Sequence, residues 1–179
     1  LMPWLNVQEN VELGLKIQNL PAKQRADIAT KMLQQVKLSG AEAKQIWELS
    51  GGMRQRVGIA RALAVRSKYL LMDEPFGALD AFTREQMQDL VLDLWQHNQT
   101  GFFLITHDIE EALVLATRLV LMAPFPGRII DELTPPFSQQ RRAGKSFRQI
   151  KSDPAFIEMR EYLFTRLNAQ DTAQYEVSI

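Results

Sequence analysis

Tyr69-Leu70-Leu71-Met72-Asp73-Glu74-Pro75 is a short apolar run closed by two carboxylates and a proline. Its length suits a strand, and its unbroken apolarity predicts a parallel sheet covered on both faces. In an open α/β sheet the carboxyl ends of the strands form the ligand crevice, so Asp73 and Glu74 are expected at a functional edge. A carboxylate in Asp73's position can hold Mg²⁺ through water, and Glu74 can orient and deprotonate an attacking water. A strand that merely ends in two acids reads the same way, and on these residues alone that alternative stays open.

The pattern repeats outward from this run. Thr83 to Asn98 reads as a helix with Met87, Leu90, Val91, Leu94 and Trp95 on one face. Phe102 to Thr106 is a second apolar strand, expected parallel to the first, and it delivers His107 to the same kind of edge. Asp108-x-x-Glu111 marks the start of a helix to about Thr117, and Leu119 to Ala123 reads as a third strand. Pro124, Pro126 and Gly127 then make a turn into a short edge strand, Arg128 to Asp131. Arg141 to Lys151 reads as an irregular, solvated basic loop. A last amphipathic helix starts at Pro154, with Phe156, Met159, Leu163 and Leu167 inward, and frays from Gln170. Upstream, residues 6–38 read as two helices. Asn6-x-x-Glu9 forms a capping box, Pro21 sits in the first turn of the second helix, and Ser39-Gly40 stops it.

Three more pieces carry chemistry. Leu49-Ser50-Gly51-Gly52 opens a helix that runs to about Arg66, and two glycines there let an anion approach free backbone N–H groups. An ordinary Ser-Gly-Gly cap is the simpler account of the same residues. His107 can hydrogen-bond a terminal phosphate and the attacking water, or act in a cap. Phe76-Gly77-Ala78-Leu79-Asp80 joins the carboxylates to the next helix, and Asp80 can cap that helix or contact a partner. The other histidine, His97, sits at a helix end, where the helix dipole accounts for it.

Composition narrows the field. The chain has 179 residues, 46% hydrophobic and 23% charged, which supports a sizeable core. Its 21 basic and 21 acidic residues cancel, which speaks against a nucleic-acid partner. There is no cysteine, so disulfides and cysteine-built zinc sites are excluded. No apolar run approaches the ~18 residues of a membrane span.

In this order the pieces resemble the nucleotide-binding domain of ATP-binding-cassette (ABC) transporters. Leu49–Gly52 is similar to that family's signature motif, Leu70–Asp73 to its Walker B strand, Glu74 to its catalytic glutamate, Ala78-Leu79-Asp80 to its D-loop and His107 to its switch histidine. Pro3-Trp4-Leu5-Asn6-Val7-Gln8-Glu9-Asn10-Val11, Ile105 to Ala112, Pro126-Gly127-Arg128 and Ile150 to Pro154 resemble the ATPase subunits of importers for taurine, aliphatic sulfonates and nitrate. The implied fold class is α/β, a P-loop NTPase-like parallel sheet, incomplete, with an α-helical subdomain. Residues 1–48 would be that subdomain, 49–133 the C-terminal part of the RecA-like core, and 134–179 a basic loop and helix.

The resemblance implies an ATP-hydrolysing importer subunit for taurine or related sulfonates, with ATP and Mg²⁺ as cofactors. Glu74 and His107 would be catalytic, Asp73 the Mg²⁺ group, and Ser50, Gly51, Gly52 and Asp80 the nucleotide contacts. The implied partners are a second copy of the subunit, a transmembrane permease and, through the permease, a periplasmic substrate-binding protein. The implied location is peripheral, on the cytoplasmic face of a bacterial inner membrane.

The chain also departs from the family. No G-x-x-x-x-G-K-[ST] loop occurs, and Gly144-Lys145-Ser146 follows a Pro-rich stretch with Gln139 where the first glycine belongs, so it reads as surface. Met53 stands where a glutamine is common, and its thioether cannot donate a hydrogen bond. These departures, and the opening Leu1-Met2-Pro3-Trp4, raise the alternative of a non-catalytic fragment or relic. A soluble, non-transport cassette ATPase is a further alternative, opposed by the importer-like stretches. Phosphoryl transfer depends on positioning the β- and γ-phosphates, which the missing loop supplies. The purified 179-residue chain is therefore expected to show no measurable Mg²⁺-dependent ATP hydrolysis in a phosphate-release assay; robust turnover would contradict this.

Overall fold

The computed structural model describes the backbone of residues 1–98, 100–124 and 126–175, with side chains as far as residue 168. It comprises two compact units, Leu1–Ile105 and Thr106–Ile179.

The first unit opens with helix α1 (Val7–Ile17), whose expected capping box is present. Asn6 Oδ1 accepts from Glu9 N–H and Glu9 Oε2 accepts from Asn6 N–H, each at 2.8 Å. Asn10 is fully buried, and its side-chain amide donates to the carbonyls of Met2, Leu5 and Asn6. That anchors the chain entry before α1. Helix α2 (Ala22–Gln35) has Pro21 as its N-cap, one position ahead of the expected first turn. It ends before Ser39-Gly40, because Lys37 takes a left-handed conformation at φ 60° and the Leu38 N–H bonds back to Leu33 C=O at 2.8 Å. A short extended contact between Asn6 and Gln45 returns the chain to the front of α1. A 3-10 turn, Ile46–Glu48, then leads to helix α3 (Gly51–Ala64). The three helices bury Val7, Val11, Leu15, Ala29, Leu33, Val57, Ala60 and Leu63.

Strand β1 (Tyr69–Asp73), helix α4 (Ala81–His97) and strand β2 (Gly101–Ile105) complete this unit. The two strands are parallel, in register from Tyr69 opposite Gly101 to Asp73 opposite Ile105. The second strand begins and ends one residue earlier than the sequence suggests. The expected two-sided burial is not realised. Leu70 and Met72 are buried, whereas Tyr69, Leu71, Phe103 and Ile105 are at least half exposed. One face of the pair therefore packs and the other is open, and β2 has β1 as its ladder partner in a two-stranded sheet. The apolar residues of the open face follow the period of two that all strands share, so an unbroken apolar run states which residues can be buried, not that they are.

The second unit runs from helix α5 (Ile109–Leu115) through strands β3 (Leu119–Ala123) and β4 (Arg128–Leu133) to helices α6 (Phe137–Arg142), α7 (Phe147–Lys151) and α8 (Pro154–Tyr175). The apolar sequence of β3 suggests a parallel strand, but it pairs antiparallel with β4, with a register shift between Leu121 and Met122. The four-residue connection explains this: it can close a hairpin but is far shorter than a parallel crossover. Arg118 clasps Glu132 through Nε at 2.6 Å and Nη2 at 3.0 Å across the hairpin.

The basic segment 141–151 is not irregular. Phe147 and Ile150 are buried beside Phe137, Phe156, Leu163, Leu113 and Val114, and that shared core holds α6 and α7 in place. Arg141 lies 4.8 Å over the Phe147 ring, and Lys145 Nζ is 3.6 Å from Asp153. Helix α8 continues five residues past the expected fraying at Gln170, and residues 176–179 lie outside the described part. Its expected inward residues are in place: Phe156 and Leu163 are buried, and Met159 and Leu167 pack on the same core.

The asymmetry of the β1–β2 pair fixes the expected effects of truncation. Leu70, buried on the packed face, should cost ~2–5 kcal/mol when replaced by Ala. Leu71, 72% exposed on the open face, should cost no more than about 0.5 kcal/mol. Urea unfolding of Leu70→Ala and Leu71→Ala checks the ranking, and equal losses would contradict the one-sided packing.

Candidate functional site

The C-terminal end of β1 is built by an extension of the parallel ladder. Glu74 N–H donates to Ile105 C=O at 2.9 Å, so the residue after the strand is still tied to β2. The chain then turns abruptly, and Glu74 takes the left-handed conformation at φ 45°. A bulky non-glycine residue is uncommon there, and such strain persists only where the surroundings enforce it. Here they are Pro75 and Phe76, both buried immediately after the turn. The sequence carries no sign of this strain. Asp73 and Glu74 are both exposed. Gly77 closes the turn, donating its N–H to Glu74 C=O at 3.4 Å. A Cβ on Gly77 would lie 3.6 Å from Glu74 Oε2, so the carboxylate rests beside this glycine.

The chain after Gly77 leads to the start of α4. Asp80 is its N-cap and accepts from Thr83 N–H at 2.9 Å. The hydrogen bond from the Thr83 side chain, aided by that from its backbone, holds the Asp80 carboxyl below the ordinary carboxylate range. The cap therefore stays charged at neutral pH. Its contribution is present above the unfolded pKa and is lost as pH falls through the lower folded value.

Helix α3 starts against the same turn. Ser50 is its N-cap, with Oγ accepting from Met53 N–H at 3.3 Å, and both Ser50 and Gly51 are exposed. Gly52 is buried, and an added Cβ would meet Thr83 Cγ2 at 2.7 Å. At Gly51 the same atom would come within 4.0 Å of Leu79 Cδ2. Gly51 and Gly52 therefore lie against Leu79 and Thr83. Thr83 carries no sequence signal for this role, because the contact with Gly52 spans 31 positions. An Oγ cap spends one first-turn donor, and helix geometry leaves the remaining first-turn N–H groups without intrahelical partners.

His107 belongs to the second unit. It is exposed, just ahead of α5, whose N-cap Asp108 accepts from Glu111 N–H at 3.0 Å. Asp108 N–H in turn donates to Thr106 Oγ1 at 3.1 Å. His107 is therefore not the cap; Asp108 is. His97 Nδ1 lies 2.7 Å from Asp93 C=O in the last turn of α4, a helix-end contact as expected.

Among the described residues no three His, Cys, Asp or Glu side chains converge on a metal position. Asp73 alone suits an ion that takes one or two carboxylates and completes its shell with water and phosphate oxygens, as Mg²⁺ does. Gly144-Lys145-Ser146 is exposed: Gly144 follows α6 at φ 99°, and Ser146 caps α7 in a capping box with Gln149. It is a linker between helices, not a phosphate loop.

Residues 1–77 match the family described as ABC transporter. Over 170 residues the chain is 59% identical to the taurine import ATP-binding protein TauB of Chromobacterium violaceum, covering 95% of this chain and 65% of that protein. Over 173 residues it is 57% identical to the protein of the same name from Escherichia coli O157:H7, covering 97% and 68%. The chain thus spans about two thirds of the length of these curated relatives. Among solved structures it is similar to a dimeric ATP-binding cassette in a post-hydrolysis state bound to ADP and Pi (TM-score 0.62, 32% identity, 75% of this chain and 58% of that one). It is also similar to a metal-chelate type ABC transporter in an inward-facing conformation (TM-score 0.63, 28% identity, 70% and 51%).

The contact between Gly52 and Thr83 generates a direct test. Gly52→Ala should destabilise the chain by ~1–3 kcal/mol through overpacking. Thr83→Ser keeps the hydroxyl and removes Cγ2, so adding it to Gly52→Ala should recover most of the loss. A double-mutant cycle by chemical denaturation measures the coupling, and additive effects would contradict the contact.

Proposed function

This chain belongs to the ABC transporter family, and we propose that it serves in the ATP-hydrolysing subunit of an importer, for taurine or a related sulfonate. The carrying observation is Glu74: a strained, exposed carboxylate directly after Asp73, fixed by its N–H to Ile105 and flanked by Gly77. Strain of this kind clusters where a side chain must be aimed rather than packed. The identity to taurine import ATP-binding proteins supports the substrate class.

Residues 1–48 serve as the helical subdomain, 49–133 as part of the ATPase core, and 134–179 as a C-terminal appendage. In this reading ATP supplies the phosphoryl group, and Mg²⁺ would neutralise its charge. Asp73 would hold the ion through water, and Glu74 accepts the proton of the attacking water. Backbone N–H groups at the start of α3, with Ser50 Oγ, offer donors to a terminal phosphate, and Asp80 shapes the turn beside them. The family resemblance gives His107 the role of a hydrogen-bond donor to a terminal phosphate. The exposure of Ser50 and Gly51 leaves the motif open to a nucleotide held by another chain, which supports a second copy of the subunit as partner. A transmembrane permease, and through it a periplasmic binding protein, complete the assembly. That assembly puts the subunit at a peripheral place on the cytoplasmic face of the inner membrane. No helix among the described residues is long and apolar enough to cross a membrane.

Glu74→Gln, made in a subunit of its relatives' full length, should retain ATP binding and lose hydrolysis by ~10²–10⁴-fold, the usual weight of a general base. Single-turnover hydrolysis together with nucleotide-binding titration checks both halves. Hydrolysis at a near wild-type rate would remove Glu74 from the role.

A further inference from the structure

The basic segment 141–151 and helix α8 converge on a carboxylate that the hydrolysis reading does not use. Glu110, in the first turn of α5, accepts from Lys151 Nζ at 3.0 Å and from Arg160 Nη1 at 3.1 Å. Lys151 is the last residue of α7 and Arg160 lies in α8, so one side chain joins three helices. All three side chains are about two-thirds buried. Arg160 is held in turn by Glu161, with Nε and Nη2 donating to Oε1 at 3.2 and 2.9 Å. Burial pushes the Glu110 carboxyl up, but the hydrogen bonds and charges of Lys151 and Arg160 outweigh it and hold the group below its ordinary range.

The placement along the chain gives this cluster its meaning. Glu110 follows His107 by three residues, with the Asp108 cap between them. Further along α5, Leu113 and Val114 are buried with Phe137, Phe147, Ile150, Phe156 and Leu163. Core packing fixes the body of the helix, whereas the ion cluster fixes its first turn, where a seven-residue helix is most free to fray. Partly buried, charge-assisted bonds to two cations resist such movement more than an exposed pair does.

We propose that Glu110 is a positioning residue for His107: clamped by Lys151 and Arg160, it fixes the turn that presents the imidazole, and so makes α7 and α8 part of the hydrolysis machinery. This rests on the reading of His107 as the group that faces the terminal phosphate.

The test uses Glu110→Gln in a subunit of its relatives' full length. It keeps the side chain's size and removes its charge. His107 and His97 are the two histidines in the described chain, so their imidazole NMR signals can be assigned by single substitution. Glu110→Gln should shift or broaden the His107 signal and lower kcat roughly tenfold, about 1.4 kcal/mol in barrier, with KM for ATP unchanged. Lys151→Gln should move the same signal, and the double variant should lose less than the product of the two. Glu158→Gln, an equal charge change at an exposed position of α8, should alter neither signal nor rate. If His107→Ala abolishes hydrolysis while Glu110→Gln leaves both kcat and the imidazole signal at wild-type values, the clamp is overturned alone. If His107→Ala hydrolyses normally, the reading of His107 falls and the clamp's purpose falls with it. Should Glu110→Gln fail to fold, the Lys151→Gln variant decides: an unmoved His107 signal overturns the proposal.

Discussion

The hydrogen bond from Glu74 N–H to Ile105 C=O is the constraint on which the site depends. It carries the parallel ladder one residue past β1, so the strand cannot relax before the chain turns. The turn must then be made within Glu74 itself, at φ 45°, because Pro75 and Phe76 are already committed to the interior. The backbone there fixes where the Glu74 side chain leaves the chain. Gly77 beside it and Asp73 before it share the same short segment. A longer loop would let the two carboxylates drift.

The second constraint is steric. Gly52 sits where a Cβ would overlap Thr83, and Asp80 caps the helix that carries Thr83. The glycine pair of α3 therefore has two consequences from one cause. It permits close packing on the start of α4, and it leaves Ser50 and Gly51 exposed with an unencumbered backbone. The motif proposed to meet a nucleotide and the packing contact share these two glycines. That coincidence explains why the ordinary-cap account and the phosphate account could not be separated on the residues alone.

Much of this was legible in the sequence, and the remainder was not for identifiable reasons. The capping box at Asn6 and Glu9, the strand at 69–73, the caps at Ser50 and Asp108, and the inward face of α8 all follow from local rules, and local rules act within a few residues. Pairing does not. Leu119–Ala123 reads as apolar in any sheet, and only the short link to Arg128 reveals an antiparallel partner. The segment 141–151 misleads because its charges mask Phe147 and Ile150, whose burial depends on partners such as Phe156 and Leu113 elsewhere in the chain. For the site, residue types pointed to Asp73, Glu74 and His107, but not to the strain at Glu74, the contact of Thr83 or the clamp on Glu110. Each of these is a tertiary fact with no sequence period.

The central claim is that Glu74 is held where it can take a proton from the water attacking a terminal phosphate. The most direct measurement is a crystal structure of a subunit of its relatives' full length with Mg²⁺ and a non-hydrolysable ATP analogue. The account predicts a water within about 3 Å of both a Glu74 carboxylate oxygen and the γ-phosphorus side of the nucleotide, with Glu74 still left-handed. A Glu74 side chain turned away from the phosphate, with the water held by other groups, would contradict it.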